Sequence, residues 1–172
     1  MQLLWINLVT DSLPAIALGM EPVEDRVMEE RPRPKKEGIF AHGLGLRVVL
    51  QGLMFGGLSL AAFWFGSRAA GAETGGRTLA FLVLGFSQII HSFNMRSSRS
   101  LFQTGFFTNR KLNGAALVSV LLMACVLFLP PLAHVFGLSV LSPDLYVFGF
   151  LLSLVPLAVL ESVKFLGWIE RE

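Results

Sequence analysis

The stretch "NLVTDSLPAIALG", residues Asn7 to Gly19, decides how this chain is read. It is apolar enough to enter lipid, yet within eight positions it carries an amide, a hydroxyl, a carboxylate and a proline: Asn7, Thr10, Asp11 and Pro14. These fall at i, i+3, i+4 and i+7, a spacing that puts all four on one face of an α-helix. A carboxylate near the middle of a bilayer costs about 2.5–3.5 kcal/mol on insertion scales, so it needs a compensating partner. Pro14 has no N–H, and its ring clashes with the carbonyl four residues back, that of Thr10. The spacing therefore predicts a cluster of oxygen acceptors inside the membrane: the Asn7 side chain, the freed Thr10 carbonyl and the Asp11 carboxylate. Hard cations take oxygen ligands. Irregular backbone at membrane depth is tolerated where it lines a cavity or binds an ion. Cation binding or a proton relay is the expectation. The competing account is a polar face that joins helices through hydrogen bonds.

The rest of the chain fits a membrane setting. Of its 172 residues 53% are hydrophobic and 15% charged, against about 25% charged in soluble domains. Five apolar runs reach the roughly 20 residues a spanning helix needs: about 2–20, 44–66, 78–95, 113–136 and 145–168. No period-2 alternation runs through them, which favours helices over a β-barrel. The expected fold is all-α: a polytopic membrane protein with five transmembrane helices and one long polar loop, 21–43. A net charge of +2 gives no reason to invoke nucleic acid. The basic residues read as topology signals instead. Arg26, Arg31, Arg33, Lys35 and Lys36 lie in 21–43, and Arg96, Arg99, Arg110 and Lys111 in 96–112. The other connections hold just Arg68 and Arg77. Positive charge stays cytoplasmic, so the N-terminus is expected outside and the C-terminus in the cytoplasm. No basic n-region precedes the first run and no small-residue cleavage site follows it, so it does not read as a signal peptide. A chain that begins outside with no tail implies earlier helices.

Several features are secondary. Gly52 and Gly56 form a small-xxx-small pair that predicts close approach of another helix. Pro130 and Pro131 are expected to end the fourth helix, and Pro156 to kink the fifth. The segment 21–43 is rich in proline and charge and reads as an extended or ordered loop. The segment 96–112 mixes basic residues with Leu101, Phe102, Phe106 and Phe107, and reads as an interfacial anchor rather than a nucleic-acid surface. Gln88, His91 and Ser92 share one face of the third helix. Gln88 can offer a neutral oxygen to a cation. His91 fits an interfacial or hydrogen-bonded role better than a ligand or proton-coupled one. Glu161 and Lys164 read as a local ion pair, and Cys125 as a small apolar residue.

The stretch "LLWINLVTDSLPAIALGMEP" closely resembles the sixth transmembrane helix of P-type calcium-transporting ATPases, of the sarco/endoplasmic-reticulum and secretory-pathway types and their bacterial relatives. The family pattern is N-L-x-T-D-x-L-P-A-x-A-L-G. "EPVEDRVMEERPRP" is similar to the loop that follows, "GLMFGGLSLAAFWFG" to helix seven and "LESVKFLGW" to the last helix. The resemblance implies helices six to ten of a ten-helix pump in the bacterial plasma membrane. It also implies that Asn7, Thr10 and Asp11 are calcium ligands, with Asp11 the central carboxylate. Gln88 stands where two-site members carry a glutamate, which implies a single ion site and leaves manganese as a second substrate.

The phosphorylated D-K-T-G motif is absent from these 172 residues. ATP and Mg2+ would then act through other domains. The implied partners are the lipid bilayer and an N-terminal portion: helices one to five and the actuator, phosphorylation and nucleotide domains. Loop 21–43 would transmit motion from the phosphorylation domain. Two other classes stand beside this one: a small stand-alone cation channel or secondary transporter, and a non-catalytic membrane scaffold.

Overall fold

A computed structural model describes residues 1–21, 44–96, 101, 105 and 108–165. The predicted loop 21–43 beyond Glu21, most of 96–112 and the last residues of the 145–168 run lie outside the described residues. Among those described the structure is all-helical. Helix α1 runs Gln2–Leu18, α2 Leu44–Ala69 and α3 Glu73–Asn94. Then follow α4 (Arg110–Phe128), α5 (Pro130–Val135), α6 (Pro143–Ser153) and α7 (Val155–Phe165).

Among the described residues three stretches are long and apolar enough to cross a membrane: Leu44–Ala69, Arg110–Phe128 and Pro143–Phe165. The two helices that carry the predicted polar residues are different. α1 is short, and α3 bears Arg77, Thr78, Ser87, Gln88, His91, Ser92 and Asn94 along its length. α3 is the central element, packed against α1, α2, α4, α6 and α7. Its Leu79, Phe81, Leu82, Val83, Phe86 and Ile89 form a core with Ile6 of α1, Ala62 of α2 and Ala116, Met123, Val126 and Leu127 of α4. α2 instead turns Leu46, Val49, Leu50, Leu53 and Leu60 outward, as a helix facing hydrocarbon does. At its far end the Arg68 guanidinium lies 3.8 Å from the Trp64 ring centroid, a pairing suited to a membrane–water boundary.

Three helix expectations need correction. The run 113–136 is not one helix. Leu129 takes an extended conformation (φ −89°, ψ 112°) between α4 and α5, because a residue before proline is pushed out of the helical region. The run 145–168 is divided at Leu154 into α6 and α7 rather than merely kinked. Pro156 denies an N–H to the carbonyl four residues back, that of Leu152. Third, the close helix approach expected at Gly52 and Gly56 is elsewhere. A Cβ added at either would meet nothing within 4 Å, whereas one at Gly66 would lie 2.9 Å from the Gly75 carbonyl oxygen and 2.9 Å from Leu79 Cβ. The α2–α3 hairpin is thus drawn tight near its turn, at Gly66, Gly75 and Gly76.

A buried polar junction gathers the ends of three helices. The Arg96 side chain is 1% exposed. Its Nη2 donates to Glu21 Oε1 at 2.6 Å, its Nε reaches both carboxylate oxygens at 3.1 and 3.3 Å, and its Nη1 donates to the Gly105 carbonyl at 2.9 Å. Asn109 joins from α4. Its Oδ1 caps that helix by accepting from the N–H groups of Lys111 and Leu112, both at 2.9 Å. Its Nδ2 donates to Glu21 Oε2 and to the Ala17 carbonyl. Such a forked, charge-assisted contact fixes geometry as well as contributing energy. Hydrogen bonding from Arg96 first, then from Asn109, holds the Glu21 carboxyl below the ordinary carboxylate range.

A lowered folded-state pKa means the stabilisation is complete above the ordinary glutamate value of about 4.3 and is lost as pH falls through the lower folded value. Thermal unfolding in detergent should therefore show a midpoint that drops below about pH 4, with a flatter acid limb in Glu21→Gln. An acid limb identical in both proteins would count against this assignment.

Candidate functional site

α1 is not a regular helix where its polar residues lie. Asn7–Asp11 forms a π turn, with α-helical turns before and after it. Such turns, closed by i→i+5 bonds, are wider than an α turn and cluster at functional sites. Pro14 supplies no N–H to the carbonyls of Val9 or Thr10. The Val9 carbonyl is met from α4, where Ser119 Oγ donates to it at 2.8 Å. Side chains also reinforce the widened turn: Thr10 Oγ1 donates to the Ile6 carbonyl at 2.6 Å, and Ser12 Oγ to the Asn7 carbonyl at 3.1 Å.

The extra residue in the turn rotates the four polar positions apart. Thr10 and Pro14 are buried against the bundle, while Asn7 and Asp11 are exposed in this chain. The expectation of one shared face is corrected to that extent, since it assumed 3.6 residues per turn throughout. Asp11 nevertheless sits beside Thr10, with Oδ1 at 3.4 Å from Thr10 Oγ1. Gln88 Oε1 of α3 lies 3.2 Å from the same hydroxyl. The hydroxyl has one proton, and the Ile6 carbonyl is its shortest acceptor. With that proton committed to Ile6, the Asp11 carboxylate and the Gln88 amide meet around a hydroxyl oxygen that has lone pairs left to offer.

These three residues line one cleft of about 240 Å³, shared with Pro14, Ala15, Leu18, Phe55, His91 and Ser92. Asn7 lies outside that lining. His91 is held edge-on to Phe55 of α2, ring centroids 5.1 Å apart, and its Nδ1 is buried with no hydrogen-bond partner among the described residues. Ser92 Oγ donates to the Ile89 carbonyl at 2.6 Å and is committed to α3 itself. Among the described residues no group of three or more His, Cys, Asp or Glu side chains is placed to hold a metal ion. What the chain offers is one carboxylate with neutral oxygens, the hard-ligand type that suits alkaline-earth ions.

The Glu161–Lys164 pair has Nζ 3.7 Å from Oε1, and it is more than local. Lys164 Nζ also donates to the Asn94 carbonyl at 2.8 Å, and Glu161 accepts from the Leu101 N–H at 3.1 and 3.2 Å. The pair ties α7 to the end of α3. Sequence reasoning missed Ser119, Glu21 and Asn109. A lone serine in a Leu/Val helix was the one available signal for Ser119.

The described residues thus form an all-helical domain with membrane-length apolar helices that gathers a carboxylate and neutral oxygens between two of its helices. The family model "Cation transporting ATPase, C-terminus" matches residues 1–166, and the chain belongs to that family. It is 38% identical over 179 residues to "Calcium-transporting ATPase 1" of Bacillus cereus, covering 94% of this chain and 20% of the relative. It is 40% identical over 162 residues to the "Calcium-transporting ATPase" of Bacillus subtilis, covering 94% and 18%. Against human "Calcium-transporting ATPase type 2C member 1" it is 32% identical over 143 residues, covering 83% and 16%. The chain thus spans about a fifth of the length of the bacterial relatives.

Proposed function

We propose that this chain forms the last five crossings, helices six to ten, of an ATP-driven calcium pump. In this reading it supplies part of a single intramembrane calcium site through Asp11, Thr10 and Gln88, with Asn7 on the adjoining exposed face. The observation that carries the reading is the convergence of the Asp11 and Gln88 oxygens on Thr10 Oγ1, within 3.4 Å. Calcium takes six to eight oxygen ligands, so this set is a share of a site. The remaining ligands come from helices that precede this chain and cover the face where Asn7 and Asp11 are exposed. Gln88 contributes an oxygen without charge, which limits the site to one divalent ion. Manganese suits the same oxygen set.

The ion is cargo. ATP and Mg2+ act on the cytoplasmic side, in domains that precede this chain. Phosphorylation there drives the membrane helices to expose the site first to one side and then to the other. Asp11 is the ligand whose charge must be compensated when the ion leaves, and a returning proton does so. The Met1 end lies outside and the C-terminus in the cytoplasm of the bacterial plasma membrane, with loop 21–43 carrying motion between the phosphorylation domain and α1. Relaxation of the π turn to α geometry would rotate Asp11 about the α1 axis by about 100°, one residue's worth of helix, and so open the site.

The test is ATP-driven uptake of radioactive calcium into inside-out vesicles holding the full-length ATPase that carries this segment. Calcium bound per phosphoenzyme is counted in the same preparation. Uptake with one calcium per phosphoenzyme is expected. Two calcium ions would overturn the single site, and an absence of ATP-driven uptake would overturn the pump.

A further inference from the structure

The Glu21–Arg96–Asn109 junction lies outside the cleft and has no part in holding an ion. Its placement along the helices is nonetheless informative. Glu21 follows Asp11 by ten residues, and a turn at Gly19 and Met20 carries the chain from the end of α1 to it, with the Glu21 N–H donating to the Leu18 carbonyl at 3.0 Å. Arg96 follows Gln88 by eight residues on α3. At 1.5 Å per residue the junction sits about 15 Å from Asp11 along one helix and about 12 Å from Gln88 along the other. The third partner repeats the pattern. Asn109 caps the start of α4, and ten residues on, Ser119 donates to the Val9 carbonyl inside the π turn. Each of the three helices that build or brace the oxygen cluster is therefore tied to Glu21 at one end and meets its neighbour again at the cluster.

A register slip of one residue moves a helix by 1.5 Å, enough to break the 3.2 Å contact between Thr10 and Gln88. Apolar packing between helices does not resist sliding well. A forked arginine–carboxylate contact does, because both partners are directional.

We propose that Glu21, Arg96 and Asn109 are positioning residues for the ion site: they pin the axial register of α1 against α3 and α4, and through it the juxtaposition of Asp11, Thr10 and Gln88. Arg96 is the fixed point, since its guanidinium is buried and also grips the Gly105 carbonyl. Glu21 is the part of α1 that it holds. The inference rests on the ion-site reading above, and its test separates the two.

The first arm measures register without an ion. Nitroxide labels on Ile16→Cys and Leu117→Cys, with Cys125→Ala and the cysteines outside this segment replaced, report the α1–α4 distance by electron double resonance in the calcium-free full-length ATPase that carries this segment. A single narrow distance is expected, broadened or shifted in Glu21→Gln. Replacing the whole pair, Glu21→Leu with Arg96→Met, can keep stability because buried ion pairs are often matched by apolar residues of similar volume. That double variant should retain its thermal midpoint yet show the broadened distance, which a merely structural role would not produce. An unchanged distance in Glu21→Gln overturns the proposal.

The second arm measures calcium-dependent phosphorylation in the full-length ATPase carrying this segment. Glu21→Gln should raise the half-saturating calcium concentration about tenfold, roughly 1.4 kcal/mol, with the maximal level kept. Altered distances with unaltered calcium dependence would overturn the link from register to site. If Asp11→Asn also leaves calcium dependence unchanged, the ion-site reading fails, and the distance arm alone decides the register claim.

Discussion

Asp11→Asn, placed in the full-length ATPase, is expected to abolish calcium-dependent phosphorylation at any calcium concentration near the wild-type midpoint. The half-saturating concentration should rise at least about 100-fold, some 2.7 kcal/mol. The substitution keeps size and one oxygen, so what it removes is charge. The other side-chain oxygens that line the cleft, those of Thr10, Gln88 and Ser92, are neutral, and a divalent ion taken from water into a low-dielectric site needs a compensating negative charge. Folding should survive, because Asp11 is exposed in this chain and its Thr10 contact is long, at 3.4 Å. The thermal midpoint in detergent should move little, which separates a ligand from a structural residue. A wild-type calcium dependence in Asp11→Asn would refute the assignment of this carboxylate to the ion. A midpoint lowered by many degrees would make it a packing residue instead.

How much of this was legible in the sequence follows from what periodicity can and cannot carry. The residues Thr10, Asp11 and Gln88 were named from spacing and residue type, and the structure brings them together. Their rotation about α1 was not legible, because a face count at 3.6 residues per turn has no place for a π turn. Pro14 signalled an irregularity, but the sequence could not say which carbonyl would find a partner on α4. The junction at Glu21 was invisible for another reason. Glu21 and Arg96 are 75 residues apart, each sits just beyond a helix, and each reads by itself as an ordinary charge marking the membrane boundary. Pairing at that separation depends on how α1 and α3 lie together, which no local pattern encodes. The helix breaks at Leu129 and Leu154 fall beside prolines that were noticed. The stop expected at Pro130 and Pro131 is where the structure has it, at Leu129, whereas Pro156 read as a kink and the structure divides the helix at Leu154. With the glycines the pattern misled. Gly52-xxx-Gly56 has the expected spacing, but the helix that packs on α2 in this chain meets it nearer the hairpin turn.

That last difference yields a large stability effect. Gly76→Ala should destabilise the chain by about 3 kcal/mol or more, the upper range for overpacking a tight contact. A Cβ at Gly76 would overlap Ser67 Oγ, lie 2.5 Å from the Phe63 carbonyl oxygen and touch the Phe63 ring at 3.0 Å. A serine side chain can rotate away, but a helix carbonyl cannot move without pushing α2 off α3. Lipid offers no hydrophobic drive to close the gap again, so helix contact in the membrane depends on this close packing. Gly52→Ala is the control. Its added methyl meets nothing within 4 Å, and alanine is the better helix former by up to about 1 kcal/mol, so the chain should be unchanged or slightly stabilised. Unfolding of both variants in mixed detergent micelles measures the contrast. Equal effects at Gly52 and Gly76 would mean that the hairpin is not closed where the structure closes it. The effect should also reach the ion site, because α2 contributes Phe55 and α3 contributes Gln88 and His91 to the same cleft. In the full-length ATPase, any Gly76→Ala protein that folds should therefore need more calcium for half-maximal phosphorylation, while Gly52→Ala should not.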